Sequence, residues 1–297
     1  MGFKGSSNGV VAISFFTVVC LVMGGVSHGA TFTEQFDAFS SDGYHVQVAP
    51  DGQEAKIVLD QVAASGFGSK NQYLFGNISM KIKLVPGDSA GTVTAYYLSS
   101  AQPAHDELDF EFLGNASGQP YVLQTNVFAN GVGGREQRIN LWFDPSADFH
   151  SYGVLWNKNQ IIFTVDDKPI RLYKNSEDLG VAYPKSKPMG LYASLWNGDQ
   201  WATEGGLIKL NWTHAPFIVS FKEFSTLDGC VVTNNDITPC TATTTHWWEA
   251  SAFQTINRNQ AEQILWVKEN YEVYDYCKDT ERYPTEPVEC SRNVPLL

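Results

Sequence analysis

An all-β sandwich with a single core is predicted for residues 30–225, followed by a short disulfide-stapled extension over 226–297. Three observations carry this. Short alternating segments broken by Gly, Pro, Asn and Asp fill the first part of the chain, and helical periodicity is nearly absent there. The four cysteines beyond residue 30 all lie in the last quarter.

The chain begins Met1-Gly2-Phe3-Lys4, then runs from residue 10 to 26 with almost no polar side chain and ends in small residues at 27–30. A basic start, an apolar middle and a small-residue cleavage zone predict a secretory signal peptide over 1–29. A membrane anchor is the competing reading. Ser14, Thr17 and Gly24-Gly25 interrupt the apolar run, and no later segment resembles a span. The mature protein is therefore expected to be secreted.

Within the sandwich, residues 76–85, 91–98, 121–129, 152–156, 160–165 and 189–196 read as strands. Turn clusters such as Pro86-Gly87-Asp88 and Asp166-Asp167-Lys168-Pro169 separate them. Beyond residue 225, apolar side chains at Ala261, Ile264, Leu265 and Val267 predict one short helix over 257–270. Residues 271–276 then alternate like an added strand. The extension is too short to bury a large core alone.

Cys20 falls in the leader, which leaves Cys230, Cys240, Cys277 and Cys290. Four cysteines allow three pairings. Loop proximity favours Cys230–Cys240 and Cys277–Cys290. A zinc site is the rival, disfavoured by the lack of a Cys-x-x-Cys pair. The formal charge is −12, and loss of the leader with Lys4 makes the mature chain one unit more negative. Such an acidic protein suits neither nucleic acid nor an anionic membrane, and neutral glycans are the expected partners. Three sequons occur, at Asn77, Asn115 and Asn211, and only Asn115 lies in an evident turn. Asn115 is the expected glycosylation site.

The chemistry concentrates in residues 105–112, His-Asp-Glu-Leu-Asp-Phe-Glu-Phe. Strict alternation places His105, Glu107, Asp109 and Glu111 on one face and Leu108, Phe110 and Phe112 on the other. Three carboxylates with no intervening cation repel one another and shift one another's protonation. An ordinary strand with a solvated acidic side is the bland alternative. The functional reading is a site that keeps one carboxyl protonated and another ionised, as glycoside cleavage requires. Cα atoms four residues apart on a strand are about 13 Å apart. Leaning side chains can close that to the roughly 5–5.5 Å carboxyl spacing of retaining glycosidases.

This strand and the Leu-Gly-Asn that follows it closely resemble the active-site strand of plant xyloglucan endotransglucosylase/hydrolases, in the β-jelly-roll clan that includes lichenases and laminarinases. Further matching segments are Gly66-Phe67-Gly68-Ser69-Lys70, residues 84–100, Gln124-Thr125-Asn126-Val127-Phe128, Arg135-Glu136-Gln137-Arg138, Trp201-Ala202-Thr203 and the cysteine-bearing tail. The resemblance implies a jelly-roll sandwich of two antiparallel sheets with a C-terminal extension of the transferase type. It implies Glu107 as nucleophile, Glu111 as acid/base and Asp109 as helper. It also implies glucan contacts from Glu111, Gln124, Thr125, Asn126, Gly134, Arg135, Glu136, Gln200, Trp201, Gly205 and Arg282.

Three positions depart from the family pattern: Ser41 where a Trp is usual, Glu204 where Arg or Gln is usual, and Leu265 where Arg is usual. They are expected on sugar-contacting surfaces, which puts strict xyloglucan specificity in question. The expected activity is cleavage of a β-1,4-glucan backbone with retention and transfer to a glucan acceptor in the cell wall or apoplast, by a monomer without cofactor or metal. Hydrolysis of xyloglucan or mixed-linkage glucan, or transfer between different glucans including cellulosic chains, is the alternative. A non-catalytic carbohydrate-binding jelly roll is the reading from another class.

Overall fold

A computed structural model describes residues 1–2, 29–242 and 246–295. Residues 3–28, which include most of the expected leader, lie outside the described residues. Among the described residues no helix is long and apolar enough to cross a membrane.

The strands in the first half are β1 (Phe36–Ala38), β2 (Val46–Val48), β3 (Glu54–Leu59), β4 (Ser65–Lys83), β5 (Thr92–Ser99), β6 (Glu107–Leu113), β7 (Val122–Phe128) and β8 (Gln137–Asn140). They continue with β9 (His150–Trp156), β10 (Gln160–Val165), β11 (Lys168–Lys174), β12 (Met189–Asn197), β13 (Phe217–Lys222), β14 (Leu227–Val231) and β15 (Glu272–Asp275). Three α-helices are described: α1 (Phe32–Gln35), α2 (Thr238–Thr241) and α3 (Arg258–Tyr271).

Neighbouring strands are antiparallel along the path β11-β10-β9-β4-β12-β5-β6-β7-β8-β15. The hinge of this path is β4, at 19 residues far longer than the 76–85 segment that alternation suggests. Its first half pairs with β12 and its second half with β9, so one strand serves both layers. The change of direction falls at Phe75 and Gly76, both with positive φ (68° and 143°). A Cβ at Gly76 would lie 2.5 Å from the Asp228 carbonyl, so β14 passes too close for any side chain.

The two layers meet through aromatic rings. Phe110 on β6 packs against Phe163 on β10 at 5.2 Å, and Phe112 meets Tyr152 on β9 at 4.6 Å. All three apolar residues of the β6 alternation are essentially fully buried. Truncating one of these phenylalanines costs about 3–5 kcal/mol. Their burial fixes the register of β6, and a one-residue slip would push the carboxylates into the core.

Strand β11 was not expected from the sequence, because Lys168 and Pro169 read as turn residues. The turn is tighter than that: Asp166 and Asp167 both take positive φ and Val165 pairs directly with Lys168. This is a two-residue hairpin, and Pro169 is accommodated where the β10–β11 register shifts.

The C-terminal extension docks on the sandwich rather than folding apart. Helix α3 packs on β11 and β8, and its capping box joins Asn257 to Gln260 through reciprocal 2.9 Å bonds. Strand β15 adds itself to the edge of β8. Disulfides join Cys230 to Cys240 and Cys277 to Cys290. Leu265 sits half-buried on α3, and its neighbour Trp266 packs against Trp142 and Tyr271.

Candidate active site

A cleft of about 430 Å³ lies over β5, β6, β7 and β12. Pairing brings three outward rows together. Glu107, Asp109 and Glu111 on β6 stand opposite Ser99, Tyr97 and Ala95 on β5, and opposite Phe128, Asn126 and Gln124 on β7. All three carboxylates line the cleft.

Their environments differ. Asp109 is only 7% exposed. Burial, followed by the charges of Glu107 and Glu111, holds its carboxyl well above the ordinary range, against the weaker opposing pull of Arg171. Glu111 is also raised, first by burial, while a hydrogen bond from Gln124 opposes the shift. That donor is itself oriented, because Gln124 Oε1 accepts from Arg138 Nε at 2.6 Å. His105 Nε2 lies 3.7 Å from Glu107 Oε1, with its ring stacked on Phe128 at 5.1 Å. The arrangement supplies two carboxyls that hold their protons more tightly than ordinary carboxylic acids do, and a third, Glu107, that Asp109 can hydrogen-bond. Among the described residues no group of three or more His, Cys, Asp or Glu side chains is placed to hold a metal.

Of the further positions singled out in the sequence, Gln124, Asn126, Glu136 and Trp201 line the cleft. Arg282 reaches it through Glu136, donating from Nη1 at 2.7 Å. Gly134 has φ +81°, and its carbonyl accepts from the Tyr283 hydroxyl at 2.6 Å. Gln200 and Gly205 are exposed in the loop that carries Trp201. At two further expected positions the side chains are engaged elsewhere. Thr125 falls between Gln124 and Asn126 on β7, so its side chain turns inward, and its hydroxyl accepts from buried Arg171 at 2.9 Å. Arg135 is 7% exposed and spends its guanidinium on Glu289, Val127 and Val132.

Of the aromatic floor, sequence reasoning singled out Trp201 and missed the rest. Tyr97 lines the cleft beside Asp109, its hydroxyl pushed up to about 12 by burial and by the charges of Glu107 and Asp109. Its ring stacks on Tyr192 at 5.4 Å, and Tyr192 meets Phe39 at 6.4 Å. Trp196 and Trp201, 6.1 Å apart, line another part of the cleft. The alternation within 92–99 holds the signal for Tyr97, but only once β5 is paired in register with β6.

Comparison with known proteins bears on the whole chain. Residues 32–214 match the profile of Glycosyl hydrolases family 16, and residues 242–290 match that of the xyloglucan endo-transglycosylase C-terminus. A probable xyloglucan endotransglucosylase/hydrolase of Arabidopsis thaliana is 51% identical over 97% of this chain and 98% of its own length. A xyloglucan endotransglucosylase of Diospyros kaki is 46% identical over 96% of this chain and 95% of its own. A Bacillus licheniformis beta-glucanase superposes with a TM-score of 0.52 at 23% identity, covering 64% of this chain and 90% of its own, which shows the shared jelly-roll fold. With a catalytic-domain profile, a tail profile and relatives of about half identity end to end, the chain belongs to glycosyl hydrolase family 16, among the xyloglucan endotransglucosylase/hydrolases.

Proposed function

We propose that the protein is a retaining endotransglucosylase that cuts a β-1,4-glucan backbone, xyloglucan first among its substrates, and passes the fragment to another glucan chain. The observation that carries this is the carboxylate row on β6, in which Asp109 and Glu111 are both raised by burial.

Glu107 attacks the anomeric carbon while Glu111 gives its proton to the glycosidic oxygen. The C–O bond breaks, the departing chain leaves with a free 4-hydroxyl, and a glycosyl ester remains on Glu107. Asp109, protonated, hydrogen-bonds the Glu107 carboxylate and disperses the charge of the row. Glu111, now ionised, takes the proton of an incoming 4-hydroxyl, whose oxygen displaces Glu107 and restores the β configuration. Water in place of the acceptor gives hydrolysis. The Glu136–Arg282 pair and the platform of Trp201 are assigned to glucan binding beside the row, with Gln124 and Asn126 orienting the carboxylates and the sugar.

The acidic charge, the paired cysteines and the apolar N-terminal segment support a protein that works outside the cell on neutral wall polysaccharide. Glycosylation at Asn115 fits the same setting, since the residue follows β6 in a surface turn. The deciding test is incubation with xyloglucan and a labelled xyloglucan oligosaccharide. Label should enter polymer faster than new reducing ends appear, and Glu107→Ala should abolish both. Reducing ends without labelled polymer would make the protein a hydrolase.

A further inference from the structure

We propose that a groove beside the exit of β6 is the seat of the glycan carried on Asn115, whose first sugars pack against Trp142 and Phe143. The inference rests on the reading of Asn115 as a glycosylation site and concerns what that glycan does.

The groove has a volume of about 490 Å³ and is separate from the carboxylate cleft. One wall is the turn from Asn115 to Tyr121, and the other runs from Leu141 to Ser146. The attachment residue is thus part of the wall. Its backbone is tied down at both ends, N–H to Ser89 Oγ and carbonyl to Ser89 N–H, at 3.1 and 3.0 Å. Its side chain is held as well. Asn115 Oδ1 accepts from Ala116 N–H at 2.9 Å, and Nδ2 donates to the Pro120 carbonyl at 3.0 Å. An amide nitrogen carries two protons and this one makes a single bond among the described residues, which leaves one position for a sugar.

The opposite wall has the chemistry of a sugar site. Trp142 is half-buried and braced by Trp266 and Tyr271, each at 5.5 Å. Phe143 has one ring face covered by His150 at 3.8 Å. Aromatic rings of this kind take the apolar face of an N-acetylglucosamine. Polar groups sit beside them. Asp144 uses Oδ1 for Ser146 N–H and Oγ–H, which helps hold its carboxyl below the usual range, so an ionised Oδ2 remains for an acetamide N–H or a hydroxyl. Gln119 adds an exposed amide. Since Trp142 also meets Trp266 on α3, a seated glycan would tie the turn after β6 to the C-terminal extension.

The test uses the full chain secreted from a eukaryotic host. Mass spectrometry of the Asn115 peptide comes first, and an unoccupied Asn115 removes the glycan and its seat together. With Asn115 occupied, native release by peptide:N-glycanase should be about tenfold faster in Trp142→Ser than in wild type, the factor carried by a lost stacking contact of about 1.4 kcal/mol. Gln119→Ala and Asp144→Asn alter exposed side chains and keep the core intact, and both should also speed release. Removing the glycan should lower the Tm of wild type and leave that of Trp142→Ser unchanged. An occupied Asn115 released equally fast from wild type and all three variants overturns the seat while glycosylation stands.

Discussion

Arg171 donates from Nη1 to both the carbonyl and the hydroxyl of Thr125, at 2.8 and 2.9 Å, directly behind the carboxylate row. Nη2 donates to the Arg135 carbonyl at 2.6 Å, and the Arg135 N–H donates to Asn126 Oδ1 at 3.0 Å. A buried cation is thereby linked to a side chain of the cleft. No carboxylate lies within ion-pair distance of it among the described residues, and its field opposes the rise of Asp109. The charge serves the site electrostatically as well as by packing.

Arg171→Met should therefore do two things. Leaving the Thr125 and Arg135 carbonyls unpaired should cost about 1–3 kcal/mol in denaturant unfolding. Asp109 should also keep its proton to higher pH, moving the alkaline limb of the pH–rate profile upward. An unmoved alkaline limb with the stability loss intact would reduce Arg171 to a packing residue.

The same row makes a prediction about stability and pH. Asp109 and Glu111 have raised values in the folded protein, so the native state binds protons more tightly than the unfolded chain. Stability they contribute is present at low pH and is lost as pH rises from the ordinary carboxylate value to the raised one. Asp60, Asp144 and Asp275 are lowered and act in the opposite sense, gaining stability as pH rises. Only a difference measurement isolates the row. Tm of Asp109→Asn should exceed that of wild type at pH 7 and converge on it near pH 4, while transfer activity falls sharply. A Tm difference independent of pH would count against a raised Asp109.

The extension should matter to acceptor binding through one loop. Cys277 and Cys290 close a segment that carries Arg282, paired with Glu136, and Glu289, paired with Arg135. Replacing both cysteines by serine should cost about 2–3 kcal/mol. Because Arg282 loses its anchor, KM for the acceptor should rise more than kcat falls, and Arg282→Ala alone should reproduce the KM effect without the stability loss. A variant with normal acceptor KM would separate the tail from the cleft.

Much of this was legible in the chain because two periodicities were unambiguous. The period-two pattern from Glu107 to Phe112 places the carboxylates on one face, and the buried phenylalanines of β6 hold it there. The stripe from Ala261 to Val267 predicts α3 to within a residue at each end. What the chain does not display is whatever depends on the partner strand. Thr125 and Arg135 sit in polar segments that look uniformly exposed, yet pairing and the buried Arg171 turn one inward and cover the other. The long β4 was cut short because its 65–75 portion lies across an exposed stretch, Lys70 to Gln72, that interrupts the apolar pattern.

The placement of Phe39 sharpens the expectation for substrate range. Phe39 is 60% exposed and extends the Tyr97–Tyr192 row, so an aromatic platform survives two residues before the serine at position 41. A flat glucan face needs only such a platform, whereas xylose branches need extra surface or donors at the edges. Ser41 and the exposed Glu204 provide neither an aromatic face nor a cation there. Unbranched glucans, mixed-linkage or cellulosic, should then be used unusually well as donors relative to xyloglucan. Phe39→Ala should raise KM for branched and unbranched donors alike. Ser41→Trp combined with Glu204→Arg should shift the ratio of kcat/KM toward xyloglucan by about tenfold. Leu265→Arg should leave that ratio unchanged, because α3 packs on β11 and β8 and Leu265 is not among the residues that line the cleft. A shift produced by Leu265→Arg, or wild type confined to xyloglucan, would refute the assignment of donor choice to these edge positions.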